Sequence, residues 1–279
     1  MFRSVADFPL HVEEALLIGA STRLALTTDA IRSIVLTGMG GSAIAGDLLR
    51  SYLAEELRIP FFVNRSYGLP ASVDRNTLVI VSSYSGNTEE TIASYRDALR
   101  RKTPVLCITT GGEAERLARK HGHSCIIVPS GLQPRAALGY SFFPLLLALA
   151  RVGFIERRPA DISETVDMLK KKSLLYAEPK NPENHAWQLA TRLHGKLPVI
   201  YSASDRLDAV NVRWRGQICE NSKHLAFGHV LPEMNHNEIV GWKVDRELMK
   251  KMAVVFLRDT GTHPRIRVRE EITKEIIRK

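Results

Sequence analysis

Short apolar runs constrain the fold of the first half of this chain more than any other feature. Each run is four to six residues long and is separated from the next by a turn and, in most cases, a helix-like segment. Unbroken apolar strands separated by helices are typical of a parallel sheet covered by helices on both faces. We therefore expect an α/β fold. The predicted strands lie at 33–37, 60–63, 77–82, 104–109 and 124–128.

The second half repeats this alternation more weakly. A charged segment at 153–161, which contains Pro159, marks a domain boundary. We therefore expect two α/β domains of related plan, residues 1–152 and 153–279, the second with fewer strands and short at its C-terminal end. Beyond two helices after the boundary, the predicted elements of the second domain are strands at 197–201 and 253–257 and helices at 205–221 and 264–279.

A hydroxyl-rich turn, SSYSGNT at 82–88, joins one predicted strand to the next helix. Ser83, Ser85 and Thr88 supply hydroxyl donors, and the free N–H groups and dipole of a helix start favour an anion. The turn contains no lysine, so it does not match a nucleotide P-loop. This pattern favours a small phosphorylated metabolite. The alternative is that the same residues cap the helix with no ligand present.

Charge and cysteine content narrow the class of protein. The net charge of +9 favours anionic partners, but the positive residues are mostly dispersed and no DNA-binding motif is present, so we expect no nucleic acid. The longest apolar run, 142–150, is shorter than the roughly 20 residues that span a membrane, so no membrane association is expected. Three cysteines without paired spacing and the absence of an apolar export segment favour the cytoplasm.

Chemically reactive side chains concentrate at 219–238. A carboxylate such as Glu220 can move a proton between adjacent carbons, and a histidine of this stretch can move one on a hydroxyl oxygen. Tuning Glu220 for this work requires burial and a nearby cation. Two alternatives stay open. One is surface pairing of Glu220 with Lys223. The other is metal ligation, although the histidine spacing fits no zinc motif, by His224, His229, Glu233 and His236.

Six motifs occur in a fixed order along the chain. They are GMGGSAIAGD at 38–47, SYSGNTEET at 83–91, GLQPRAALGY at 131–140, RW at 213–214, ENSK at 220–223 and NHNE at 235–238. The motifs of the first half resemble the sugar isomerase (SIS) domain, and the whole series in this order resembles the bifunctional phosphoglucose/phosphomannose isomerase family of archaea and some bacteria. The resemblance covers nearly the whole chain, and it implies two SIS-type three-layer αβα sandwiches with parallel sheets.

The resemblance implies roles for particular residues. Arg135 would stabilise enediolate charge, Glu220 would shuttle a proton between C1 and C2, and His236 would open the sugar ring from the neighbouring subunit of a homodimer. No metal and no cofactor are implied. The substrate-binding residues would be Gly40, Gly41 and Ser42 beside the sugar, and Ser83, Ser85 and Thr88 around the phosphate.

The chain departs from the family pattern at two places. The family usually has Asn-Glu-Asn-Ala-Lys, and here Cys219 replaces the first Asn and Ser222 replaces the Ala. Both changes flank Glu220 and leave it in place. The family also continues with a further strand and a helix bearing an active-site lysine, and none of that follows Lys279. Two interpretations stay open: a truncated chain, or one that lacks this lysine and has impaired or no activity.

The expected activity is therefore an aldose–ketose isomerase. It would interconvert fructose 6-phosphate with glucose 6-phosphate and mannose 6-phosphate through a cis-enediol. One alternative is a non-catalytic sugar-phosphate-binding regulator, since SIS domains also serve regulators. Another is an SIS isomerase of pentose or heptose phosphates, against which the tandem layout argues.

Overall fold

The apolar runs of the first half form a five-stranded parallel sheet in the order β2-β1-β3-β4-β5. A computed structural model describes residues 1–204 and 206–278. Each of the five predicted strands matches an observed strand to within one residue at either end. The strands are β1 Ser33–Thr37, β2 Phe61–Asn64, β3 Thr77–Ser83, β4 Val105–Thr109 and β5 Ser124–Ile127.

Alternate residues of these strands enter two separate cores, so the unit has three layers. Ile34 and Leu36 of β1 face one core, whereas Val35 faces the other. Both faces are covered, as the unbroken apolar pattern predicts. The helices of this part are α1 Phe2–Ala6, α2 Phe8–Ser21, α3 Gly40–Tyr52, α4 Glu89–Arg101, α5 Gly112–His121, α6 Leu138–Arg151 and α7 Pro159–Ala177.

The charges of α4 show why that segment is helical. Glu89 and Glu90 occupy its first turn and Arg100 and Arg101 its last, which complements the helix dipole. The helix ends at Lys102, which adopts a left-handed conformation with a φ of 56°.

The second half contains a smaller parallel sheet, in the order β7-β6-β8. Strand β7 was not predicted from the sequence. Asn211 on α9 fastens one face of the sheet, since its amide donates to the carbonyl oxygens of Ile200 and His229. The elements are α8 His185–Leu193, β6 Leu197–Ala203, α9 Asp208–Gln217, β7 Phe227–Leu231, α10 Arg246–Met249, β8 Met252–Leu257 and α11 Pro264–Arg278.

Contacts divide the chain into two units, Met1–Ala177 and Glu178–Lys279. Helix α7 belongs to the first unit, where Val166 joins the core that contains Ile34. Asp205 and Lys279, which delimit two predicted helices, lie outside the described residues. No helix in the described ranges is both long and apolar enough to cross a bilayer.

Candidate functional site

A glycine brings the segment that follows β1 close to the turn that follows β5 in the first unit. Gly40 has a φ of 48° at the start of α3. A Cβ added at Gly41 would lie 2.5 Å from the carbonyl oxygen of Pro134, so the backbones of the two segments touch there. The 3-10 turn Pro134–Ala136 therefore packs against the first turn of α3, and this places the half-buried Arg135 beside Gly41.

Ser42 ties this loop to the end of β3. Its side-chain oxygen accepts a hydrogen bond from the backbone N–H of Tyr84 at 3.1 Å, and its carbonyl oxygen accepts one from the Ser82 hydroxyl at 3.2 Å. Ser42 is buried. The loop predicted to lie beside the sugar is therefore fastened to the loop predicted to bind the phosphate.

Two hydroxyls meet at the start of α4. The side-chain oxygens of Ser83 and Thr88 are 3.0 Å apart, with Ser83 buried and Thr88 half-buried. Thr88 occupies the N-cap position but its side chain does not cap the helix. The first-turn N–H groups of α4 and its dipole therefore remain available to an anion. We call Ser83, Ser85 and Thr88 the hydroxyl cradle.

Ser85 completes the hydroxyl cradle from an exposed position, where its oxygen accepts from the Asn87 N–H at 3.3 Å. Sequence reasoning did not single out Thr91, on the third residue of α4. Its hydroxyl is buried and has no hydrogen-bond partner among the described residues. A threonine hydroxyl in a helix normally bonds a carbonyl oxygen of the preceding turn, so the sequence does not reveal that this one lacks a partner.

The loop between β4 and α5 packs against the turn that carries the hydroxyl cradle. Gly86 has a φ of 70°, and a Cβ added there would lie 1.8 Å from the carbonyl oxygen of Gly111. The side-chain oxygen of Asn87 accepts from the N–H of Glu113 at 3.0 Å, which ties the same turn to the start of α5. The absence of a side chain at Gly86 therefore lets the two loops pack closely, and it would also let a ligand approach the backbone.

In the second unit, Glu220 lies on a single π-helical turn, Ile218–Ser222, that continues α9. The sequence predicted a helix here, and the π-helical turn is a departure from it. Such turns are rare and frequently mark functional sites. Glu220 is exposed in the isolated chain, and the amine of Lys223 donates to its main-chain oxygen at 2.7 Å.

Arg213 is a cation that interacts with Glu220, as a proton-transferring carboxylate would require. Burial lowers the pKa of Arg213, and the negative charge of Glu220 opposes that shift. The two side chains therefore interact electrostatically across two turns of the same helical segment. Sequence analysis named Arg213 only as part of the RW motif and did not predict its interaction with Glu220.

His236 ends the 3-10 turn Glu233–His236 and is exposed. Contacts on both sides hold this turn. The Asn235 amide donates to the Thr273 hydroxyl of α11 at 2.8 Å, and Glu238 bonds the Tyr201 hydroxyl of β6. Thr273 and Tyr201 were not predicted, because no local pattern links them to residues 38 and 37 positions away.

The topology of the small sheet separates Glu220 from His236. Helix α9 leads from the carboxyl end of β6 back to the amino end of β7, so Glu220 precedes β7. His236 follows the opposite end of that strand, and β7 alone is about 13 Å long. Within one chain, Glu220 therefore lies toward the amino ends of the strands and His236 toward their carboxyl ends.

The described residues contain no group of three or more His, Cys, Asp or Glu side chains suited to a metal ion.

Two family models match the chain. The SIS domain matches residues 29–148, and the bacterial phospho-glucose isomerase C-terminal SIS domain matches residues 182–279. Among solved structures, the C-terminal domain of glucosamine-fructose-6-phosphate aminotransferase from Francisella tularensis has a TM-score of 0.68 at 16% identity, covering 99% of this chain and 79% of that one. That likeness confirms the fold predicted from the sequence.

Relatives with named activities identify the family more specifically than the fold does. The bifunctional phosphoglucose/phosphomannose isomerase of Caldicellulosiruptor bescii is 46% identical over 280 residues, which covers 100% of this chain and 82% of the relative. The D-glucosamine-6-phosphate 4-epimerase of Sulfolobus acidocaldarius is 33% identical over 74% of this chain and 62% of its own length. With near-half identity along its whole length, the chain belongs to the bifunctional phosphoglucose/phosphomannose isomerase family.

Proposed function

We propose that this chain is an aldose–ketose isomerase that interconverts glucose 6-phosphate and mannose 6-phosphate with fructose 6-phosphate. The observation that carries the proposal is the 46% identity, along the whole chain, with a relative named for both isomerase activities. The geometry of each unit is consistent with this chemistry.

The first unit would bind the phosphate. The hydroxyl cradle lies at a helix start that no side chain caps, and hydroxyls with free N–H groups are suitable donors to phosphate oxygens. The packing of the Pro134–Ala136 turn on Gly41 supports a role for Arg135 near the reacting carbons, since a guanidinium there would stabilise negative charge on an enediolate. Gly40, Gly41 and Ser42 would form the adjacent wall of the sugar site.

The second unit would transfer the protons. His236 would open the sugar ring by taking a proton from the C1 hydroxyl and delivering one to the ring oxygen as the bond between C1 and that oxygen breaks. Glu220 would then remove the C2 proton of the aldose, and returning that proton to C1 while a proton moves from O2 to O1 would give the ketose. Rotation about C2–C3 before abstraction would admit the mannose epimer. The π-helical turn and the nearby Arg213 support Glu220 as the base.

The chain would act as a homodimer in which His236 comes from the neighbouring subunit. The placement of Glu220 and His236 toward opposite ends of the strands of one small sheet supports this arrangement. Co-expression of Glu220→Gln with His236→Ala tests it. If the residues act in trans, half of the dimers are mixed and each carries one intact site, so about a quarter of wild-type activity returns. If they act in cis, no activity returns.

A cytoplasmic location forms part of the proposal. Cys107, Cys125 and Cys219 are free thiols, which suits a reducing compartment. Fractionation of cells that express the full chain would test this, with recovery among periplasmic or secreted proteins as the contrary result.

A coupled assay of the purified chain with fructose 6-phosphate tests the activity itself, with glucose 6-phosphate and mannose 6-phosphate measured separately. We expect both products. D-glucosamine 6-phosphate is the control substrate, because one relative is named as its 4-epimerase. Epimerisation of this compound without formation of either hexose 6-phosphate would contradict the proposal. Binding of sugar phosphate without turnover of any substrate would favour a regulatory role.

A further inference from the structure

Two cysteines lie side by side on neighbouring strands of the five-stranded sheet. Cys107 of β4 and Cys125 of β5 are direct partners in the register of this parallel pair. Neighbouring strands lie about 4.8 Å apart, and a disulfide requires Cα atoms about 4.4–6.8 Å apart. Because paired residues point to the same face, both thiols lie on the side covered by α4 and α5. The backbone therefore places the two thiols within reach of each other.

The two thiols differ in their access to solvent. Cys107 is completely buried. Cys125 is half-buried on the edge strand and lines a surface recess of about 300 Å³, together with Arg119 and His123. A small oxidant can therefore reach Cys125 but not Cys107. This is the arrangement of an attacking thiol and a protected resolving thiol.

The thiols also interact electronically. Interaction with the Cys107 thiol lowers the pKa of Cys125, with Arg119 acting in the same direction against burial and Glu115. Interaction with the Cys125 thiol and burial raise the pKa of Cys107. Because the thiolate is the reactive form, Cys125 is the nucleophile of the pair.

We propose that Cys107 and Cys125 form a reversible dithiol oxidation site for hydroperoxides. The Cys125 thiolate attacks the hydroxyl oxygen of the peroxide and breaks the O–O bond, which gives a sulfenic acid and releases hydroxide from hydrogen peroxide or an alkoxide from an organic hydroperoxide. The Cys107 thiol then attacks the Cys125 sulfur, and the sulfenic hydroxyl leaves as water with the Cys107 proton. The two sulfurs lose two electrons in total, and the peroxide gains them. Nothing in the sugar-phosphate proposal enters this step.

Hydrogen peroxide is the test compound, added to the fully reduced full-length protein for a short period. Remaining thiols are then alkylated, and the peptides are mapped by mass without reduction. We expect a Cys107–Cys125 cross-link, a loss of the mass of two hydrogen atoms, and reversal by dithiothreitol. Cys219, half-buried in the second unit, is the internal comparison and should stay alkylatable.

Single variants separate the two roles. Cys107→Ser should leave a Cys125 sulfenic acid that dimedone traps, whereas Cys125→Ser should leave Cys107 unoxidised. Cys219→Ser should form the cross-link as the wild type does. Circular dichroism of each variant verifies that it is folded. Recovery of all three thiols from the folded wild-type protein, or a cross-link that involves Cys219, would overturn the proposal.

Discussion

Replacing Thr88 by valine tests the hydroxyl cradle with almost no change of shape. The substitution removes the hydroxyl that lies 3.0 Å from the Ser83 oxygen, at a helix start with no side-chain cap. A hydrogen bond to a charged group contributes about 1.5–3 kcal/mol. Since about 1.4 kcal/mol corresponds to a tenfold change, we expect sugar-phosphate affinity to fall about 10- to 150-fold.

The matched control is Thr103→Val. Thr103 is buried just beyond the other end of α4, and its hydroxyl donates to the carbonyl oxygen of Ala98. Helix α4 has 13 residues, so it separates the two threonines by about 20 Å. Loss of the Thr103 hydroxyl should therefore lower stability slightly and leave affinity unchanged.

Calorimetric titration with fructose 6-phosphate measures the dissociation constant directly, provided that turnover is blocked. Both threonine variants are therefore made in a Glu220→Gln background. Unchanged affinity in the Thr88 variant, or an equal loss in the Thr103 variant, would refute the phosphate-binding role of the cradle.

Three further substitutions test how the loops are held. Gly86→Ala introduces a side chain at a φ of 70° against the carbonyl oxygen of Gly111, so urea unfolding should show a loss of about 1–2 kcal/mol from the φ alone, and wild-type stability would exclude this packing. Thr273→Val removes the anchor of the turn that carries the proposed ring-opening histidine, so turnover should fall while fructose 6-phosphate affinity holds; unchanged turnover would exclude a positioning role. Burial raises the pKa of Asp97, but hydrogen bonds and charge, chiefly from Arg101, bring it below its ordinary value. The charged form therefore stabilises the fold at neutral pH, and the stability advantage over Asp97→Asn should be lost as pH falls below about 4; a constant difference would contradict this pairing.

The strands of the first unit were predictable because burial on both faces leaves a continuous apolar run. Strand β7 was not, because its sequence FGHVL contains a glycine and a histidine and has no such run. A Cβ added at Gly228 would lie 2.1 Å from the carbonyl oxygen of Ile200, so this strand requires glycine where it passes β6. The requirement comes from a partner strand distant in sequence, and local pattern cannot reveal it.

The candidate site divides in the same way. The density of hydroxyls between an apolar run and a helix predicts a phosphate loop, and that role stays a prediction. The bond from Tyr84 to Ser42 joins residues 42 positions apart, and only the folded sheet brings them together. The sequence predicted Glu220 on a helix but not on a π-helical turn. A turn of five residues is too short to alter the spacing of apolar residues by which a helix is recognised, so the pattern gives no sign of it.

The role of Glu220 is the central claim, and Glu220→Gln is the measurement that tests it most directly. Isomerisation of fructose 6-phosphate is followed in wild type, in this variant and in Glu247→Gln, a control on an exposed acid of the same unit that pairs with Lys250. We predict that Glu220→Gln loses nearly all turnover while retaining fructose 6-phosphate binding, and that the control keeps both. Near-normal turnover in folded Glu220→Gln would contradict the account, because the C1 proton of fructose 6-phosphate would then be leaving to another base.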